Sequence, residues 1–292
     1  MRFQFIAANQ QEFPVRRLCQ VLDVSASGFY TWRKRQPSAR KMANDTLLIQ
    51  IKEVHQESRG TYGSPRVHAT LVAQGLPCGL HRVARLMRQD GLRARGKRRY
   101  KRTTESNHTY PISPNLLNRE FEADVPNQKW VGDITYIPTG EGWLYLAVVM
   151  DLFSRRVVGW AMDNNLHQQL TLTALHMALN QRQPQPGLLH HTDRGSQYAA
   201  SLYQAILNGY QLQVSMSRRG NCHDNAPMES FFASLKAELP CYGRYATRRQ
   251  ARLEIFEYIE VFYNRYRRHS SLGYLSPWQF ELTAVTSFVT VH

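Results

Sequence analysis

Three acidic residues stand out by position. Asp133 lies in the middle of WVGDITYIP (130–138), a run of β-branched and aromatic residues, and strand interiors disfavour Asp. By strand alternation it shares a face with Val131, Thr135 and Ile137. Asp193 follows the short apolar run 188–191 within HHTDRGSQY, at the mouth after a strand where open α/β sheets bind ligands. Glu229 falls at the start of a helix in NAPMESFF (225–232), with Pro227 in its first turn. Singly, each reads as a capping or surface acid. Together, two acids from strands and one from a helix can converge on a point. At ~4 Å two ionised carboxylates repel by about 4 kcal/mol at an effective dielectric near 20, so three of them gather only around cations. Oxygen-only ligands suit Mg²⁺ or Mn²⁺ rather than zinc. Two such ions roughly 3.5–4 Å apart serve an in-line displacement at a phosphodiester. Asp133, Asp193 and Glu229 are therefore the candidate catalytic and metal-holding residues.

The elements that position these acids share the chain with a strongly basic segment. The protein has 292 residues, 37 Lys and Arg against 22 Asp and Glu, and a formal net charge of +15. Residues 1–115 hold 21 basic and 7 acidic side chains, whereas 116–292 hold 16 and 15. A polycationic front and a nearly neutral back fit a protein that grips a polyanion with one part and acts with another. The longest uncharged apolar stretch, 142–150, is far short of the ~20 residues of a membrane-spanning helix, and MRFQFIAANQQEF is no secretory signal. Cys19, Cys78, Cys222 and Cys241 lie far apart, which argues against a disulfide framework and for a reducing cytoplasm. The cytoplasm is the expected location.

Four segments are expected. In 1–40, Val15, Leu18, Cys19 and Leu22 give one helical face, and Ser25 caps a second helix carrying Phe29, Tyr30 and Trp32; helix, tight turn and helix outline a helix-turn-helix. In 41–95, Ser64-Pro65 is a cap-and-proline start. A later helix there turns Leu80, Val83, Ala84 and Met87 inward, with His81, Arg82, Arg85 and Arg88 outward. That basic face runs into Lys97, Arg98, Arg99, Lys101 and Arg102, where a face built only for solubility would mix its signs. Residues 96–128 read as a basic, Pro-containing linker that orders on DNA. From Trp130 strands take over, at 130–138, 142–151, 155–162, 188–191 and 212–216, with helices near 168–181, 202–207 and 249–266. The pattern gives an α/β core, a mixed five-stranded sheet with flanking helices, over 129–292.

The motifs WVGDITYI, HTDRGSQY and NAPMESFFASLK, in that order and with 35 residues between Asp193 and Glu229, resemble the DDE motif of ribonuclease H-like integrase cores. SRRGNCHDNA (217–226), YNRYRRHSSLGY (263–274) and the front-half motifs FPVRRLCQVLDVSASGFYTW, YGSPRVHATL and HRVARLMRQDGL resemble the second-reading-frame (OrfB) product of the insertion sequence family three transposases. That resemblance covers nearly the whole chain. It implies small all-α helix-turn-helix modules before the integrase core and two metal ions on Asp133, Asp193 and Glu229. It also implies cleavage and joining of DNA without a covalent protein–DNA intermediate. Lys236, two helical turns past Glu229, matches the family's basic residue in the glutamate helix and implies a phosphate contact. Asn225, on the same face, would orient the glutamate or the DNA, and His191 and Arg194 flank Asp193 as packing or substrate contacts. With Arg82, Arg85 and the basic run 97–102, Lys236 and Asn225 complete the expected DNA-binding set.

The implied partners are insertion-sequence ends and target DNA, a second copy of the chain on DNA, and the first-frame product (OrfA) or an OrfAB fusion; no membrane is involved. The rival reading is a catalytically inactive DNA-binding regulator of transposition. A nuclease for RNA–DNA hybrids is disfavoured by the tandem helical modules. A serine or cysteine hydrolase has no nucleophile elbow, an H-x-D zinc site rests on too little, and no phosphate-binding loop for ATP is present.

Overall fold

The structure, a computed structural model, describes residues 1–95, 111–219 and 221–289. It divides into two compact units, Met1–Glu53 and Val54–His292.

The first unit opens with α1 (Arg2–Asn9), followed by α2 (Val15–Val21) and α3 (Ala26–Lys34). Ser25 caps α3, its hydroxyl accepting the Gly28 N–H at 3.0 Å, and Asp23 takes the left-handed turn between the helices (φ 51°). Ile6, Cys19 and Phe29 form a small core on which Phe3, Leu18, Leu22 and Trp32 pack. Helix α1 escapes the sequence reading, although Phe3, Ile6 and Ala7 have helical spacing. Helix α4 (Ala39–Glu57) begins in this unit and ends in the next.

In the second unit α5 (Ser64–Ala73) and α6 (Leu80–Gln89) pack through Val67, Leu71, Val83, Leu86 and Met87, all buried. Two expectations shift here. Gly63, not Ser64, stands at the α5 cap, and Leu80 is exposed while Leu86 is buried. The pair docks on the C-terminal part of the same unit. The Tyr62 hydroxyl donates to the Tyr266 carbonyl (3.2 Å) and accepts the Arg268 N–H (2.8 Å), and Arg59 pairs with Glu257 (2.5 Å).

The sheet has the order β3-β2-β1-β4-β5. Its strands are β1 (Lys129–Thr139), β2 (Gly142–Asp151), β3 (Val157–Asp163), β4 (Leu189–Thr192) and β5 (Gln213–Met216). The first three form an antiparallel meander, and β4 and β5 add in parallel beside β1. Helix α7 (Gln168–Arg182) crosses one face, burying Leu172, Leu175 and Leu179 against Val149 and Val158, and α8 (Ser196–Ala199) and α9 (Ser201–Gly209) complete that layer. On the other side come α10 (Ala226–Glu238), α11 (Arg248–Phe256), its π-helical continuation Glu257–Tyr266, and α12 (Pro277–Val289).

The linker reading fails for 111–128. The backbone N–H groups of Leu116 and Leu117 donate to the Ser215 hydroxyl (2.9 and 3.1 Å), Met216 N–H donates to the Pro114 carbonyl (3.3 Å), and Leu117 is 1% exposed. The segment lies along β5, at the sheet edge, where strand hydrogen-bonding groups need partners. Residues 96–110 fall outside the described residues.

Candidate active site

Register brings the first two acids together. On the parallel pair β1–β4, Gly132 faces Thr192, so Asp133 and Asp193 are the next residues along neighbouring backbones, which run about 4.8 Å apart in a sheet. The Ile134 N–H donates to Asp133 Oδ1 (2.7 Å), and the Gly195 N–H to Asp193 Oδ1 (2.9 Å), so each carboxylate is fixed by local backbone. The third acid arrives through α10. Pro227 sits in the first turn of that helix, and buried Asn225, just before it, donates its amide to the Gly132 carbonyl (3.2 Å). The helix start is thereby tied to the residue beside Asp133, and Glu229 follows one turn later on an exposed position.

The electrostatics agree with that placement. Burial, then the charge of Asp193, pushes the Asp133 carboxyl well above the usual carboxylate range; the Ile134 N–H opposes the rise, Glu229 adds to it and Lys236 offsets it. Asp133 thus feels both other acids and the lysine. Lys236 is half-buried, its pKa pulled down to about 8 by burial, against the opposing pull of Asp133. Its ammonium stands 5.9 Å from the centre of the Tyr242 ring. No group of three or more His, Cys, Asp or Glu side chains closes into a ready metal cage among the described residues. The donor set nonetheless suits a divalent cation, being all oxygen, with mutual repulsion that a cation would relieve. The Oδ1 atom of Asn225 is also buried beside this site without a hydrogen-bond partner among the described residues.

The remaining expected residues divide. Both ring nitrogens of His191 lie against hydroxyls, Nδ1 of Ser215 (2.8 Å) and Nε2 of Ser217 (3.0 Å), and burial holds its pKa down to about 4. That neutral, fully engaged ring belongs to the packing between β4 and β5. Arg194 Nε donates to the Ser217 carbonyl (2.6 Å), bracing the same strand ends. Asn225 is 5% exposed, which favours orienting the glutamate over meeting DNA. Arg85 is exposed on α6 and Arg82 half-buried. Lys97, Arg98, Arg99, Lys101 and Arg102 lie outside the described residues.

One residue of the site's frame was missed. Asp224 is fully buried and accepts from the Arg218 backbone N–H (2.9 Å), Nε (2.9 Å) and Nη2 (2.8 Å), from Arg119 Nε (2.9 Å) and from Asn115 Nδ2 (3.0 Å). Five donors converge on one carboxylate five residues ahead of Glu229. A lone acid between the basic pair Arg218-Arg219 and a helix start was the available signal.

The integrase core domain family matches residues 123–222 and, in a second part, 229–284, and an HTH-like domain matches 42–100. The first span contains Asp133 and Asp193, and the second begins at Glu229. Among solved structures, the HTLV-2 integrase catalytic core domain in complex with magnesium aligns at 17% identity and a TM-score of 0.42, over 54% of this chain and 97% of that one. Among relatives, an insertion element IS600 uncharacterized 31 kDa protein of Shigella sonnei is 48% identical over 90% of this chain and 97% of its own length. The transposase InsF for insertion sequence IS3A of Escherichia coli is 45% identical over 96% of this chain and 98% of its own. At that identity and coverage, with integrase-core and HTH-like domains both matched, the chain belongs to the IS3-family transposases.

Proposed function

We propose that the chain cuts and joins DNA at the ends of an insertion sequence, with Asp133, Asp193 and Glu229 holding two Mg²⁺ or Mn²⁺ ions. The observation that carries this reading is the register that sets Asp133 and Asp193 side by side on β1 and β4, with the start of the Glu229 helix tied to Gly132 through Asn225. The bound metals supply activation of the attacking oxygen and charge stabilisation of the leaving one. In cleavage, water attacks a phosphodiester at the element end, and the 3′ oxygen leaves as a hydroxyl. In strand transfer, that hydroxyl attacks a second phosphodiester and displaces another 3′ oxygen. Family analogy adds that one element end joins the other in a circular intermediate. Lys236 sets a positive charge beside the carboxylates for a phosphate oxygen, and Asn225 keeps α10 in register with β1. The helical modules and the basic run bind the duplex. The first-frame product, alone or as a fusion, and a second copy of the chain complete the assembly. No helix among the described residues is long and apolar enough to cross a membrane, and the cytoplasm is the proposed place of action.

Asp193→Asn tests the reading against a DNA-binding regulator. The variant is expected to lose oligonucleotide cleavage and strand transfer by roughly a thousandfold or more while DNA affinity stays close to wild type, as for groups needed only in the transition state. Retained activity removes Asp193 from the metal set. A wild type that binds DNA yet never joins it favours the regulator.

A further inference from the structure

About 100° around α10 from Glu229 lies a cavity of about 720 Å³, walled on that side by Ala226, Ser230, Ser234 and Ala237. Their spacing puts the four on one helical face. Arg66, Arg95, Arg155 and Arg267 line the cavity against a single carboxylate, Glu238. That carboxylate is engaged: Arg267 donates to both of its oxygens at 2.7 Å, from Nε and Nη2, and the Tyr258 hydroxyl donates at 2.9 Å. Among the described residues the Arg95 guanidinium donates to the Glu238 backbone carbonyl, at 3.4 Å. Among the described residues no carboxylate forms an ion pair with Arg66 or Arg155, although both are half-buried. His269 adds no positive charge to the four guanidiniums: burial, then Arg267, Arg66 and Arg155, hold its pKa well below the usual value and keep the ring neutral. Half-buried charge without an ion pair is costly, so this excess of guanidinium is suited to an anion supplied from outside. Phe121 and Tyr274 add two aromatic rings to the lining. The volume falls within the ~300–1,000 Å³ of small-molecule sites, which suits a single nucleotide and not a duplex.

We propose that this cavity receives one unpaired nucleotide of a DNA strand, its phosphate on Arg66 and Arg155 and its base against Phe121 and Tyr274. The assignment rests on the DNA-joining reading above, but its test needs no catalysis, so either can fail without the other. Fluorescence anisotropy on the full chain without divalent metal compares a single-stranded oligonucleotide with the blunt duplex of the same sequence, and a mononucleotide 5′-phosphate is titrated as competitor. The double variant Arg66→Gln, Arg155→Gln should weaken single-strand binding roughly tenfold or more and duplex binding by less than about twofold. Its single-strand salt slope should flatten by about 0.7 for each phosphate no longer neutralised. Should that variant fold poorly, Tyr274→Ala probes the same cavity through the base, with an expected loss of about fivefold or more for the single strand alone. Unchanged single-strand affinity and slope, or an equal loss on the duplex, overturns the proposal. Competition by the mononucleotide at the oligonucleotide's own concentration also overturns it, in favour of a free nucleotide.

Discussion

Two neighbouring residues hold the glutamate helix from opposite sides. Asn225 reaches inward to the Gly132 carbonyl, and Asp224 gathers Arg218, Arg119 and Asn115 from the loop and from the segment along β5. The side-chain bonds from Arg218, against some burial, hold the Asp224 carboxyl far below the usual carboxylate range. A depressed folded pKa stabilises the protein above the unfolded value of ~3.9 and ceases to do so as pH falls toward the folded value. Asp224→Asn is therefore expected to melt earlier than wild type at pH 7, with the gap narrowing below about pH 4. Equal melting temperatures across that range would show that the five-donor cluster does not hold the loop. Of the three acids only Asp133 broke a local rule, as a mid-strand Asp; Asp193 and Glu229 stood out through their motifs and the spacing between them. Asp224 broke none, since an acid before a helix is ordinary, and only the fold shows how many donors it collects.

Strand order decides what the site can be. Because β4 returns in parallel beside β1, residues sixty apart in sequence become neighbours at one end of the sheet, and α7 lies tightly over β3. Gly159 on β3 makes the close approach possible: a Cβ there would stand 2.2 Å from the Ala174 carbonyl oxygen and 2.8 Å from the Ala178 nitrogen. Both atoms are backbone, so nothing flexible can yield. Gly159→Ala should cost about 1–3 kcal/mol or more in chemical unfolding, and a neutral result would mean that α7 packs more loosely against β3 than these distances imply. The strands were readable from their apolar runs, β2 to the residue. Helix α1 was harder to see, because its eight residues carry no capping side chain and bury only Ile6. The order of the 111–128 stretch stayed hidden because the Leu116 and Leu117 N–H groups find their partner on β5, and the Asn115 and Arg119 side chains theirs on Asp224, about a hundred residues away.

At the scale of the molecule the charge asymmetry and the docked helical pair belong together. The excess charge lies in residues 1–115, and α5 and α6 bring part of it onto the unit that carries the acids. Neutralising Lys97, Arg98, Arg99, Lys101 and Arg102 together should weaken duplex binding and flatten its salt dependence by about 0.9 for every phosphate the run had neutralised; an unchanged slope would leave that run without a DNA role. Composition made the polyanion partner legible, whereas the boundary at Glu53 did not show because one helix, α4, runs straight across it. The central claim is that Asp133, Asp193 and Glu229 work as one cation-holding group. Electron paramagnetic resonance of Mn²⁺ titrated into the protein–DNA complex tests it most directly, comparing wild type with Asp133→Asn, Asp193→Asn and Glu229→Gln. Bound Mn²⁺ should fall sharply in all three variants while DNA stays bound; wild-type Mn²⁺ binding in any one of them would contradict the claim.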